Sequence, residues 1–381
     1  MIPSDSNRGV PANVDDCVVT AGPLPSLALL RSIWGELELR SHCSFFLTWN
    51  WIGSWLQLIA NRSDTLLIKV TRRSQIVALG VFAAKRAWGG AGPTHLRLHE
   101  TGDRALDDLT IEYNGLLCEA GLEHAALTAV VRFLESSGRR WSTLDLAGLD
   151  AAAVPLQNLA ASSNTLRVRR RPTHYVDLAK VRAQGDYLST LGPQTRSAIR
   201  RTARKLVAQF GTLSTTVAND ADTKLVYFRA LIRLHEAHWR SKEGHAGAFS
   251  DARIVAFHEH LLATGAGSVQ LLCLSAAEQV VGYAYNVVHR GIVYFYQAGV
   301  DYPHCAGYGS PGLLLLTQAV EHAIAMGHER FEFMAGSAEY KRKLGAGQGE
   351  LLWLSLDRPS VGSQLRNAAR WLRARAGTAV R

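Results

Sequence analysis

The sequence predicts a mixed α/β fold in which one succession of elements occurs twice, and three observations lead there. The chain has 381 residues, more than one ordinary hydrophobic core organises and suited to two domains of common size. Hydrophobic residues make up 47% and charged residues 19%, the balance of a folded globular protein rather than a disordered one. Each half then reads as hairpin, further strand, helix and buried strand, in that order.

In the first half, LLIKV at 66–70 is a short apolar strand that TRRSQ turns into a second, IVALGVFAA. In the second half, LLCLS at 271–275 is turned by AAEQ into VVGYAYNVV. A further strand follows each hairpin, THLRLHE at 94–100 and IVYFYQAGV at 292–300. The periodicity predicts helices over 123–135 and 311–326, stopped near Gly138 and at Gly327. Each leads by a short basic turn into a buried strand, WSTLDLAGL at 141–149 and RFEFMAGS at 330–337. A helix between two strands joined by short loops is a βαβ crossover in a mixed sheet.

The join falls near 175–190 and leads into a helix over 194–210, closed by Gly211. Ile199, Leu206 and Phe210 form its apolar stripe; Arg196, Arg200 and Arg204 recur on another face, with Arg201 and Lys205 beside them. A charge run of this kind reads as a solvated face, but five bases without one acid repel each other, so a phosphate-rich partner or an acidic neighbour is the other reading. The expected division is a disordered tail over 1–22, a first domain over 23–178, a second over 179–357 and a basic C-terminal helix over 358–381. The net charge of +10 favours phosphates, nucleotides, nucleic acid or an anionic membrane face as partners.

Five scattered cysteines without a CxxC pair speak against a disulfide framework or a zinc site and suit a reducing cytoplasm. The N-terminus is polar and acid-bearing, unlike a signal peptide, and no apolar run approaches the roughly 20 residues that span a bilayer. A soluble cytoplasmic protein is expected. The C-terminal stretch bearing Leu365, Trp371 and Leu372 could lie on an anionic membrane as a basic helix, or simply cap the fold.

Three stretches can carry chemistry. GVDYPHCAGYGSPG at 299–312 lies between a strand and a helix; Ser310 suits an N-cap and Pro311 the first helical position. Gly307, Gly309, Ser310 and Gly312 are the candidate phosphate cradle, since a helix N-terminus offers free donors and partial positive charge. The stretch matches neither a P-loop nor a dinucleotide fingerprint, and it would start any helix well. FEFMAGSAEYKRKLGA at 331–346 brings Glu332 as a carboxylate to steer or deprotonate an amine and Tyr340 to protonate a leaving group. Lys341 and Lys343 are there to neutralise anionic charge. HEAHWRSKEGHAGAF at 235–249 offers His235, His238 and His245, but without a carboxylate or cysteine at ligand spacing no metal is expected. Trp239 and Phe249 wall an acceptor pocket or belong to the core, and Trp49, Trp51 and Trp55 read as packing. A GxSxG elbow is missing, which removes the serine-hydrolase reading.

Taken together, these segments resemble the CelD-like branch of the GNAT superfamily, related to the Fem aminoacyltransferases that build peptidoglycan bridges. FFLTWNWIGSW resembles its PFLTPEWLxxW segment with Asn50 in place of an acid, and IEYNGLL at 111–117 its DYxDLL. TRSAIRRTARKL resembles its basic helix, HEAHWRSKEG its HxxxWxxKG, and YGSPGLLLL its YSPGxLLL. FEFMAGSAEYKRKLGA resembles FDFLxGxExYKxxWGA, with Glu332 for the aspartate and Leu344 for the tryptophan. The six ordered motifs run across roughly residues 30–357. The resemblance implies two tandem acyl-CoA N-acyltransferase (GNAT-like) domains, the second bearing the donor site. By the Fem analogy Lys341 or Lys343 would be the basic residue near the reaction centre; Glu332, Tyr340 and Lys341 are the expected catalytic residues, with Tyr113, His235, Trp239 and Lys343 as expected substrate contacts. Acyl-CoA would serve as cosubstrate with no bound cofactor, and the acceptor would be a small molecule or a sugar or envelope precursor. An aminoacyl-tRNA donor of the Fem kind, or a silent module in a polysaccharide-assembly complex, remain as alternatives.

Overall fold

We describe a computed structural model of the chain, which covers residues 14–359 apart from 61, 63, 87–91, 93, 108, 110, 138–140, 163, 245, 246 and 266. The first half comprises β1 (Cys17–Gly22), α1 (Leu27–Leu39), α2 (Trp49–Leu58), β2 (Thr65–Arg72), β3 (Gln75–Arg86) and β4 (Thr94–Leu98). It continues with the short β5 (Leu117–Cys118), α3 (Glu123–Ser136), β6 (Thr143–Asp150) and β7 (Thr165–Asp177). The second half holds α4 (Pro193–Phe210), β8 (Leu213–Val217), α5 (Ala221–Glu243), α6 (Ala252–Thr264), β9 (Val269–Ala276) and β10 (Gln279–His289). It ends with β11 (Ile292–Val300), α7 (Pro311–Ala325), β12 (Arg330–Ala335), α8 (Glu339–Leu344) and β13 (Gly347–Asp357).

The hairpins, crossover helices and buried strands stand where the periodicity placed them. Cys17–Gly22, placed in the expected disordered tail over 1–22, is instead an edge strand paired antiparallel with β2; residues 1–13 of that tail lie outside the described residues. The valines of CVVTAG suit that edge. The C-terminal helix expected over 358–381 lies outside the described residues beyond Pro359.

One mixed sheet runs through the chain in the order β1-β2-β3-β4-β6-β13-β7-β12-β11-β10-β9-β8, with β5 beside β3. Read from either end the pairing is the same, a doubling that only the two exchanged central strands complicate. β13, last in sequence, pairs with β6 of the first half, while β7 pairs with β12 of the second. The two exchanged strands face each other along eleven register pairs, Gly347↔Tyr175 to Asp357↔Thr165.

Alternation along the strands divides the interior by face. Tyr294 joins a core with Trp34, Trp51, Phe228 and Phe257 under α1, α2, α5 and α6, whereas Val293 and Phe295 point into a second core beneath α7 and α4. A third core lies under α3, where Ala126, Val130 and Leu134 meet Leu144 and Leu146 of β6. Trp51 and Trp55 are buried, as the packing reading required. Burying each indole and its neighbours at about 25 cal/mol per Å² is what holds α2 to the sheet.

Each parallel pair is short. β4 and β6 run together for His95↔Thr143 to Arg97↔Asp145, and β11 and β12 for Ile292↔Arg330 to Tyr294↔Glu332. Beyond these pairs the strands part. In the first half the gap is filled by the chain itself: the Asn114 N–H donates to Gly148 O at 2.9 Å, and Asn114 bridges Leu149. Gly148 has φ of +68°, and a Cβ there would meet Ile111 O at 2.7 Å, so the filling segment needs this glycine.

His99 secures the filling segment. Its Nε2 accepts from the Val81 N–H at 3.1 Å, which leaves the proton on Nδ1, 2.9 Å from Asn114 Oδ1. Burial holds its pKa well below the ordinary 6.5, at about 4. Because the folded value is the lower one, the stability tied to neutral His99 is present above pH 6.5 and lost as pH falls from there toward 4. A urea-melt comparison of the protein with His99→Gln should therefore show the wild-type advantage shrinking by about 2 kcal/mol between pH 7 and pH 5. An advantage independent of pH would mean that His99 is not held neutral.

Candidate active site

In the second half the parallel pairing of β11 and β12 likewise stops at Tyr294↔Glu332, and a cleft of about 440 Å³ lies beside the continuation of β11. Phe295, Gln297 and Ala298 of β11 form one wall, Leu313 and Leu316 of α7 another, and Tyr340 of α8 closes the inner end. His235, His238 and Trp239 of α5 cover it, and Gly309, Ser310, Pro311 and Gly312 form its mouth. Six of the expected site residues thus meet in one cleft: Gly309, Ser310, Gly312, His235, Trp239 and Tyr340.

The mouth is the N-terminus of α7, which starts at Pro311 and carries no acid in its first turn. That leaves the partial positive charge of the helix uncompensated. Ser310 does not act as the expected side-chain cap. Its N–H instead donates to Thr202 Oγ1 of α4 at 2.9 Å, so one donor of the expected cradle is already satisfied. Gly309 has φ of +138°, and a Cβ there would come 2.3 Å from Thr202 Oγ1, so only glycine lets α4 lie so close. Gly307 is exposed on the approach and lies outside the cleft lining.

His235 is structural at both nitrogens. The Ala248 N–H donates to Nε2 at 3.3 Å, and Nδ1 stands 3.2 Å from Ala298 O, tying α5 to β11. His238 stacks on Tyr302 with centroids 4.5 Å apart. The Ala298 N–H meets Gln297 Oε1 at 3.2 Å, a contact that a ligand carbonyl can displace. Burial is the first cause pushing the Tyr340 phenol upward, with the Glu112 charge next, so it stays protonated at neutral pH.

Glu332 is not in this cleft. It faces a second cavity of about 590 Å³, beside α3, together with Tyr113, Tyr294, Arg330, Glu123 and Asp150. Its side chain is 1% exposed and accepts from Arg330 Nη2 at 2.6 Å and from the Met334 N–H at 3.2 Å. Burial raises its pKa despite the arginine, whose guanidinium lies 3.6 Å over Tyr175. The register explains the separation: Glu332 and Phe333 are successive residues of one strand and point to opposite faces. Tyr113, at φ of +53°, donates to Thr173 Oγ1 at 3.3 Å and borders the same second cavity.

Lys341 is buried and donates to Ala335 O at 2.5 Å and Met334 O at 3.4 Å, and burial lowers its pKa. It pins the end of β12 instead of lining the cleft. Lys343 is half exposed and pairs with Glu339 one turn back at 3.0 Å. Of the three expected catalytic residues, the cleft therefore contains Tyr340 alone.

Sequence reasoning passed over Glu112. It is 5% exposed, and its Oε2 accepts from the Ala335 N–H at 2.6 Å. Close by, Tyr296 donates to Leu109 O at 2.8 Å. Residues 109–112 of the first half thus bond both to β11 and to the end of β12. A lone acid inside the apolar IEYNGLL was the one available signal. Among the described residues no cluster of three His, Cys, Asp or Glu side chains could hold a metal, and no helix is long and apolar enough to cross a membrane.

A parallel pair that parts after three residues, a cleft beside β11 and an acid-free helix start at its mouth suit an N-acyltransferase fold, and the comparisons with known proteins agree. Residues 193–342 match a family model described as an acetyltransferase (GNAT) domain. The chain is also similar to the crystal structure of FemX, at 10% identity and a TM-score of 0.56, covering 88% of this chain and 96% of that one. L-PGS from Bacillus licheniformis is similar at 10% identity and a TM-score of 0.52, covering 86% and 91%. A conserved protein of unknown function from Bacteroides thetaiotaomicron gives 12% identity and 0.51, covering 89% and 100%. At these identities the likeness is one of fold. No curated protein sequence matches the chain.

Proposed function

We propose that the chain transfers an acyl group, acetyl being the smallest candidate, from acyl-CoA to an amine. The donor would lie in the second half's cleft, and the division at 23–178 and 179–357 would separate a supporting half from a donor-binding half. The observation that carries this reading is the cleft between β11 and α7, which opens at the acid-free start of α7. A pantetheine-like chain can run along the apolar wall while the pyrophosphate meets free N–H groups at the mouth.

In the transfer, the amine nitrogen bonds to the thioester carbon as the carbon–sulfur bond breaks. The Ala298 N–H, freed from Gln297, would polarise the carbonyl, and Tyr340 would donate a hydrogen bond to the departing sulfur. The amine loses one proton and the thiolate gains one, so the reaction consumes none. The second cavity, lined by Glu332, Tyr113, Glu123 and Asp150, carries enough carboxylates to receive a cationic or amine-bearing acceptor. An amine on an envelope or polysaccharide precursor would suit the CelD-like resemblance and a cytoplasmic location.

The exposed bases of α4 favour a second reading, in which the donor is an aminoacyl-tRNA. Calorimetry with acetyl-CoA separates the two. Binding to the wild type and at least tenfold weaker binding to Gly312→Asp are expected, with an unchanged melting temperature. An aspartate in the first turn suits the helix but repels phosphate. Absence of binding by the wild type at low salt would eliminate the acyl-CoA reading.

A further inference from the structure

The transfer reaction as drawn leaves the basic face of α4 unused. This helix lies against the mouth of the cleft through Thr202, which accepts the Ser310 N–H and touches Gly309. Its buried stripe is Thr195, Ile199, Thr202 and Leu206. At roughly 100° per residue, Lys205 stands about 60° from Thr202 and Arg201 about 100° on the same side. Arg200 and Arg204 lie about 160° away, on the far side. All four side chains belong to exposed residues, and among the described residues none of the four is ion-paired. The helix contains no acid that could neutralise them.

Resting on the acyl-CoA reading, we propose that Arg201 and Lys205 form a site for the 3′-phosphate of the donor's nucleotide end. The cleft interior has room and apolar surface for the thioester arm, and the α7 start suits the pyrophosphate. The adenosine must then leave past residues 307–310, whose outer side is walled by α4. A phosphomonoester brings close to two negative charges at neutral pH. Arg201 and Lys205 are one helical turn apart, about 6 Å, a spacing at which both can reach one phosphate. Placing the site on α4 gives the enzyme a means of telling coenzyme A from its dephosphorylated form without using the cleft.

The test is calorimetric binding of coenzyme A and 3′-dephospho-coenzyme A to the full chain and to two double variants. The wild type should bind coenzyme A about 10- to 100-fold more tightly than the dephospho form. In Arg201→Ala/Lys205→Ala the two affinities should converge, through loss of coenzyme A affinity alone. Arg200→Ala/Arg204→Ala, which removes the same charge from the far side, should keep the discrimination. Equal binding of both ligands by the wild type, or equal loss in both variants, would overturn the site while leaving the acyl-CoA reading intact. Failure of the wild type to bind either ligand would instead remove that reading. Tight binding of unfractionated tRNA that Arg201→Ala/Lys205→Ala weakens, in a protein indifferent to the 3′-phosphate, would assign the face to nucleic acid and overturn the proposal.

Discussion

Glu112→Ala should destabilise the protein by about 3 kcal/mol in urea melts at pH 7. The Ala335 N–H donates to Glu112 Oε2 at 2.6 Å in a buried setting, and alanine leaves that donor without an acceptor. The ammonium of Lys341, 9% exposed, also loses the carboxylate whose charge most offsets its burial. Both effects strike the end of β12, just before the turn into α8. Glu112→Gln keeps an acceptor for the N–H and should lose about 1 kcal/mol. If the two variants lose equally, charge compensation of Lys341 dominates and the hydrogen bond matters little. A loss below about 0.5 kcal/mol in the alanine variant would show that Glu112 does not brace the strand.

The second large effect concerns Tyr340. Tyr340→Phe should lower thiol release from acetyl-CoA in the presence of an amine acceptor by about 100-fold. The ring keeps its contacts with Phe295 and Phe333, at centroid distances of 6.4 and 6.3 Å, so the fold and the cleft wall survive. Acetyl-CoA affinity should stay within about threefold, because in the proposed transfer the phenol would act on the departing sulfur and not on the bound ground state. A fall in affinity with unchanged turnover would make Tyr340 a binding residue. Unchanged turnover and unchanged affinity would remove it from the site.

Much of the fold was legible because it rests on local chemistry. The hairpins of β2–β3 and β9–β10 announce themselves by apolar, β-branched runs around polar turns. The crossover helices do so by glycine stops and apolar stripes, and α4 by its Ile199–Leu206 stripe and Gly211. The start of α7 was legible for the same reason, since glycines, serine and proline before an apolar helix form a contiguous signal. Which face Glu332 takes was not legible, because a carboxylate on a buried strand beside a glycine turn reads alike on either side. Its neighbour Phe333 points toward Tyr340, while Glu332 turns to Arg330 and the opposite cavity. Lys341 and Lys343 were equally undecided: two residues apart on one short helix, one is buried on backbone carbonyls and the other pairs in solvent.

The sequence by itself determined the element order, the doubling, and the start of α7 at Pro311, because each depends on residues within a turn or two of one another. Tertiary structure alone decided the exchange of β7 and β13, since both are strands by sequence and only long-range pairing chooses their neighbours. It also decided which half keeps an open cleft. Both halves have a parallel pair that parts after three residues, and residues 111–114 fill one gap while their Glu112 bonds to the end of β12. Burial and hydrogen-bond satisfaction between segments more than 200 residues apart settle that choice, and no local propensity encodes it.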